Sequence, residues 1–263
     1  MDNKYLIAII LTLLAGMSTV LGGFLTFFVR RDNMKALSIG LGFSAGVMIY
    51  VSLTAIMLDA QQMLGMSFSA HTSSVISFFA FFAGIAVATL IDYFIPDHIE
   101  TDLFSSPAEC DHRIHKIKRA GLITAVAVAV HNFPEGMATF LVSSQDVTLG
   151  IPVAIAIAIH NIPEGIAIAL PIFHASGQKR QAIFYSFLSG ISEPIGGVLG
   201  FILLKTIMPP SMVGAMFAAV AGIMVYISFD TLLPLAREYG ENHHVIIGIL
   251  AGMFMIGLSL ILL

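Results

Sequence analysis

The sequence predicts an all-α integral membrane protein: eight transmembrane helices in a 3+2+3 inverted-repeat bundle, with both termini outside. Three observations lead there: the composition, the spacing of long apolar runs, and two strings that recur within the chain. Of the 263 residues, 57% are hydrophobic and only 11% charged, with a mean hydropathy of +0.94. A soluble chain carries about 25% charged residues, so there are too few charges here to coat a globule. Lipid must solvate much of the surface. The net charge of −4 offers no electrostatic footprint for nucleic acid. The single Cys110 excludes an intrachain disulfide and a Cys-rich zinc finger.

The apolar runs come first. A bilayer core takes about 20 apolar residues of helix. Runs of this length predict helices near 5–29, 36–58, 73–95, 120–142, 147–171, 181–204, 212–233 and 245–263, a single transmembrane domain over residues 1–263. The uncharged run from Tyr5 to Val29 exceeds the apolar region of a signal peptide, so it is expected to be a retained helix.

Basic residues then set the orientation. The loops after helices 1, 3, 5 and 7 hold Arg30, Arg31 and Lys35; Arg113, Lys116, Lys118 and Arg119; Lys179 and Arg180; and Arg237. The opposite side keeps Lys4 and Lys205. Positive charge marks the cytoplasmic face, which puts those four loops inside and both ends outside.

The repeats explain the 3+2+3 division. Ala45-Gly46-Val47-Met48-Ile49-Tyr50-Val51-Ser52-Leu53 in helix 2 returns as Ala221-Gly222-Ile223-Met224-Val225-Tyr226-Ile227-Ser228-Phe229 in helix 7. His131-Asn132-Phe133-Pro134-Glu135-Gly136 in helix 4 returns as His160-Asn161-Ile162-Pro163-Glu164-Gly165 in helix 5. In the assigned topology each pair runs antiparallel, the signature of an inverted repeat whose substrate lies near the midplane.

The second repeat carries the candidate site. His131, Asn132, Glu135, His160, Asn161, Glu164 and, in helix 6, Glu193 all fall mid-span. Ionisable groups at that depth are costly and mark ion pathways or bound ions. His and Glu at i and i+4 share a helical face, so each motif offers an imidazole and a carboxylate, and Glu193 completes a cage of four to five ligands. Asn132 and Asn161 are either ligands or hydrogen-bond partners across helices. Pro134, Pro163 and Pro194 free the carbonyls of Val130, Ile159 and Gly190, while Gly136 and Gly165 allow close helix contact. Imidazole with carboxylate suits Zn²⁺, Fe²⁺, Mn²⁺, Co²⁺ or Cd²⁺ and argues against Mg²⁺ and Ca²⁺, which take all-oxygen shells.

The paired HNFPEG and HNIPEG, Ser192-Glu193-Pro194 and the eight spans resemble the ZIP (Zrt/Irt-like) metal transporters, most closely the bacterial ZupT-type zinc-uptake branch. The resemblance implies a multi-pass protein of the bacterial inner membrane that imports divalent metal by an elevator-like movement. It also implies that all seven residues named above form a paired metal site. Members of that family usually have Glu late in helix 2, where this chain has Ala55. No cofactor is expected, only the transported ion, and a homodimer is an open option.

Other groups carry weaker expectations. The loop 96–119 holds His98, Glu109, Cys110, Asp111, His112 and His115, a connector with some capacity for metal handoff. His243 and His244 open helix 8; Asp59 and Asp230 read as symmetric charges at helix ends; Met48 and Met224 read as core. Two rival functions remain: an integral-membrane metalloenzyme, against which stand the missing HExxH and the inverted duplication, and a proton-coupled carrier of an organic solute. The carrier would need guanidinium groups or stacking aromatics in its site, and no Arg falls mid-span.

Overall fold

The structure, a computed structural model, describes residues 3–30, 33–94, 109–145, 147–204 and 209–262. Among the described residues every regular element is helical, and eight helices are long and apolar enough to cross a membrane. They are α1 (Asn3–Leu25), α2 (Met34–Gly65), α3 (Ala70–Phe94), α4 (Glu109–Gln145), α5 (Val147–Ser176), α6 (Lys179–Gly190 and Ser192–Leu204), α7 (Pro210–Tyr239) and α8 (Asn242–Leu262).

Local chemistry sets several boundaries. The Asn33 side chain accepts from the Ala36 amide at 3.0 Å and caps the start of α2, an arrangement that contributes about 1 kcal/mol. At the end of α5, Gly177 takes φ 70°, which only glycine adopts freely, and its amide closes on the Phe173 carbonyl at 2.8 Å. Pro210 stands in the first turn of α7, where its missing N–H leaves no bond unmade.

Several elements differ from the sequence reading, with α2 and α7 running on to Gly65 and Tyr239, past the expected 58 and 233. α4 begins at Glu109 rather than near 120, so part of the expected connector is helical. His98 lies outside the described residues, as do the side chains of Glu109, Cys110, Asp111, His112 and His115. α6 is broken at Ile191 instead of running straight, with Pro194 removing the donor that would have reached Gly190.

α2 and α7 each contain one π-helical turn, at Ser52–Ile56 and Ser228–Leu232. The offset that carries Gly46 onto Gly222 also carries Ser52 onto Ser228. That alignment corrects one expectation: Asp230 pairs with Thr54, not Asp59, and both carboxylates sit within continuous helix rather than at helix ends. Asp230 instead hydrogen-bonds Tyr226, which also bonds Thr89 of α3.

The helices sort into two groups. α1, α4, α5 and α6 pack on one another, and α2, α3, α7 and α8 do the same; the groups meet chiefly where α2 lies against α5 and α4 against α7. Glycines bring the backbones together. A Cβ on Gly46 would overlap the Ile249 carbonyl of α8, and one on Gly222 the Phe81 carbonyl of α3. Gly165 abuts the Thr19 carbonyl of α1, and Gly136 the Glu193 carbonyl of α6. Such small-residue contacts hold helices together where no hydrophobic drive exists between them. Met48 and Met224 are fully buried in the main apolar cluster. Outward faces carry Phe79, Phe82, Leu250 and Phe254, apolar surface suited to lipid.

Candidate metal centre

The two HNxPEG strings lie side by side on α4 and α5, with α1 and α6 closing the flanks. Each string keeps its proline inside an unbroken helix. His131, Asn132, Asn161, Glu164 and Glu193 are fully buried, and His160 and Glu135 nearly so.

The pairing is crossed. His131 Nε2 meets Glu164 Oε1 at 2.9 Å, and His160 Nε2 meets Glu135 Oε1 at 2.8 Å. Each imidazole therefore reaches the carboxylate of the opposite motif rather than the one four residues along its own helix. His160 also hydrogen-bonds the Ala156 carbonyl one turn back. A buried acid and base meet each other's demands best as a close pair, because either one alone in low dielectric costs several kcal/mol. Among the described residues no three His, Cys, Asp or Glu side chains are grouped tightly enough to hold a metal ion. The expected residues thus come together as pairs rather than as one cage.

The asparagines flank these pairs. Asn161 Nδ2 donates to Glu193 Oε2 at 2.7 Å and to the Ala15 carbonyl of α1 at 3.0 Å. Asn132 Nδ2 donates to the Ser189 carbonyl of α6 at 3.3 Å. A carbonyl only accepts, so the amide nitrogens are committed to it and the amide oxygens point elsewhere. Both asparagines are thus hydrogen-bond partners across helices and still keep a free acceptor.

What remains unmatched is informative. His131 Nδ1, Asn132 Oδ1, Glu135 Oε2, Asn161 Oδ1, Glu164 Oε2 and Glu193 Oε1 are buried without a protein hydrogen-bond partner. Buried polar atoms are nearly always paired, and each exception calls for a reason. Other unmatched buried atoms include the hydroxyls of Thr19, Ser38, Ser73, Ser143 and Ser259, but six of the seven predicted residues carry one each, and all of those but the imidazole nitrogen, whose role depends on tautomer, are pure acceptors. A cation supplies what such atoms lack. Hard carboxylate and amide oxygens beside imidazole form the mixed N/O donor set of first-row divalent metals.

The structure adds residues that the sequence reading passed over. Ser189, at the break of α6, donates to the Ala125 carbonyl at 2.7 Å while its own carbonyl holds Asn132 and accepts from Ser192 at 2.6 Å. Ala15 is its counterpart on α1, and a Cβ on Gly16 would overlap the neighbouring Gly190 carbonyl. The glycines at 16, 22 and 23 were the only signal in α1 of close approach. Ala55 lies half-buried in the π turn of α2, packed on the apolar cluster, and brings no ligand. His243 is exposed at the start of α8 with His244 beside it; Met48 and Met224 serve as core.

The family model for "ZIP Zinc transporter" matches residues 99–260. A zinc transporter ZupT of Clostridium perfringens is 46% identical, the alignment covering 99% of this chain and 97% of that protein. That of Streptococcus mutans is 47% identical over 100% and 99%, and that of Nitratidesulfovibrio vulgaris 45% over 99% and 98%. With the doubled motif intact and similarity running end to end, the chain belongs to the ZIP zinc transporter family.

Proposed function

We propose that this protein imports zinc, and with it Fe²⁺, Mn²⁺, Co²⁺ or Cd²⁺, into the bacterial cytosol through a midplane site of His131, Asn132, Glu135, His160, Asn161, Glu164 and Glu193. The observation that carries the site is the set of unmatched buried acceptors around two crossed His–Glu pairs, inside helices apolar enough to span a bilayer. The family is one of transporters, which sets aside the membrane metalloenzyme and the organic-solute carrier. The protein is a multi-pass membrane protein and needs no cofactor; the metal is its cargo.

The site works by exchange of partners. As the ion arrives, each imidazole nitrogen and carboxylate oxygen turns from its partner to the metal, while Asn132 and Asn161 keep their carbonyl anchors on α6 and α1. An elevator-like stroke would move α1, α4, α5 and α6 together against α2, α3, α7 and α8. The division of the packing into these two groups supports that reading. The 3+2+3 inverted repeat is supported by the matched π turns and by paired glycine contacts on α2 with α8 and on α7 with α3.

The direct test is uptake into vesicles holding purified protein and a zinc-sensitive dye, with other divalent ions as competitors. Zinc accumulation blocked by Cd²⁺ or Fe²⁺ but not by Mg²⁺ is expected; a dye signal no greater than in empty vesicles refutes transport. The orientation has its own test. In a background with Cys110 replaced, a cysteine at Lys118 should react with impermeant thiol reagents only from the cytoplasmic side, and one at Gln145 only from outside. Labelling in the reverse sense would overturn the orientation drawn from the basic loops.

A further inference from the structure

Buried hydroxyls in this bundle mostly turn back on their own helix. Thr12 bonds the Ala8 carbonyl, Ser52 that of Met48, Thr139 that of Glu135 and Ser228 that of Met224, each one turn earlier. Ser44 departs from this habit. Its Oγ donates across to the Pro163 carbonyl at 2.6 Å, and Ser44 is fully buried. Ser44 belongs to α2, in one helix group; Pro163 lies in the HNIPEG string of α5, in the other. The accepting carbonyl belongs to the peptide whose nitrogen is that of Glu164.

The matching interface is built differently. The repeat that aligns Ala45-Gly46 with Ala221-Gly222 aligns Ser44 with Val220, which has no donor. Where Ser44 grips α5, Pro134 of α4 instead lines an apolar crevice with Met137 and with Val213, Met216 and Phe217 of α7. On the α2–α5 side a Cβ on Gly40 would lie 2.5 Å from Leu170 Cδ1 and 3.5 Å from Ile166 Cγ2. One motif is therefore tied to the opposite group by a buried hydrogen bond, and its twin meets that group through apolar contact.

We infer that Ser44 is a one-sided latch that seats the HNIPEG motif of α5 on α2 and must release each time the metal-carrying helices move. The inference rests on the transport reading above. When its acceptor leaves, the hydroxyl can turn only to a carbonyl of its own helix that is already bonded there, while the Pro163 carbonyl loses its donor, so the bond favours the arrangement in which α5 is seated. It touches none of the unmatched acceptors, so it governs how readily the group moves rather than how tightly the metal is held.

The test is zinc uptake by Ser44→Ala and Ser44→Thr in reconstituted vesicles, with equilibrium zinc affinity measured on the same preparations. Ser44→Ala should raise the maximal rate by about fivefold, the factor that corresponds to one net hydrogen bond. Half-saturating zinc and equilibrium affinity should stay within about twofold, and Ser44→Thr, which keeps the hydroxyl, should restore the original rate. An unchanged or lower maximal rate, or an affinity that changes in step with the rate, overturns the latch. Ser44→Cys, which keeps the volume but has only a weak donor, covers the case in which Ser44→Ala does not insert: it should also raise the maximal rate, and an unchanged or lower rate overturns the proposal equally. Absence of uptake by the unmodified protein overturns the transport reading and the latch together, whereas normal uptake with indifferent variants removes only the latch.

Discussion

Replacing Glu135 or Glu164 with Ala is expected to bring zinc uptake down to the level of empty vesicles while the protein still inserts. Each carboxylate has two roles. One oxygen holds the histidine of the opposite motif at 2.8 or 2.9 Å, and the other is buried without a partner. Alanine removes a negative charge that no nearby group can replace. It also leaves His160 or His131 without its counterpart in low dielectric, which costs several kcal/mol if the imidazole is charged. Changes in the outer shell of metal sites already lower affinity or activity by about 10- to 100-fold, and removal of a ligand should exceed that. Gln in the same positions tests the charge separately, since it can still hydrogen-bond the histidine. Near-normal accumulation by the Ala variants, at matched amounts in the membrane, would remove both residues from the site. Insertion should survive because eight apolar spans, not these two side chains, drive it.

The sequence singled out the residues of the candidate site and was silent about who meets whom. Charge inside an apolar run is a local property, so His131, Glu164 and their fellows could be picked out one by one. Their partners depend on the register between α4 and α5, which is set by glycine contacts distributed over α1 and α6. Spacing along one helix therefore suggested His–Glu faces at i and i+4, and the bundle joined them crosswise instead. Gly136 against Glu193 and Gly165 against Thr19 fix that register, and neither contact can be read from one helix alone. The break at Ile191 was half visible: Pro194 announced a freed carbonyl, but the role of Ser189 in holding Asn132 needed the tertiary structure. The π turns at Ser52–Ile56 and Ser228–Leu232 left only one trace, the repeated Tyr-x-Ser. Asp59 was matched with Asp230 because both follow the repeated string, although the offset that aligns Ser52 with Ser228 puts Thr54 opposite Asp230. The start of α4 was missed because Glu109–Arg119 is too polar to register as a span, although polar residues propagate a helix well enough outside the bilayer.

Zinc affinity should fall steeply as pH is lowered from 7 to 5.5, and the crossed pairs give the reason. A hydrogen bond between His131 Nε2 and Glu164 Oε1 needs one proton between the two atoms, whichever of them formally owns it. The same holds for His160 Nε2 and Glu135 Oε1. A ring nitrogen cannot bind a metal while it holds a proton, and Nδ1 of His160 already donates to the Ala156 carbonyl, so turning His160 Nε2 to the ion must release the shared proton; His131 releases one as well where its Nδ1 is protonated. Protons and zinc therefore compete, and the sign follows: lower pH favours the pairs and weakens the metal. Across 1.5 pH units the apparent affinity should drop roughly 30-fold if one pair opens and about 1000-fold if both do, since each proton contributes about tenfold per unit while the metal-free pair holds it. Glu193 belongs to neither pair, its hydrogen bond coming from the Asn161 amide. Glu135→Gln should remove one proton from the pH slope. Titration calorimetry of purified protein with Zn²⁺ in buffers of different ionisation enthalpy counts the released protons directly. Zinc binding without proton release, at an affinity that ignores pH, would mean that the paired atoms are not the ligands, and the site would have to be drawn from the remaining acceptors alone.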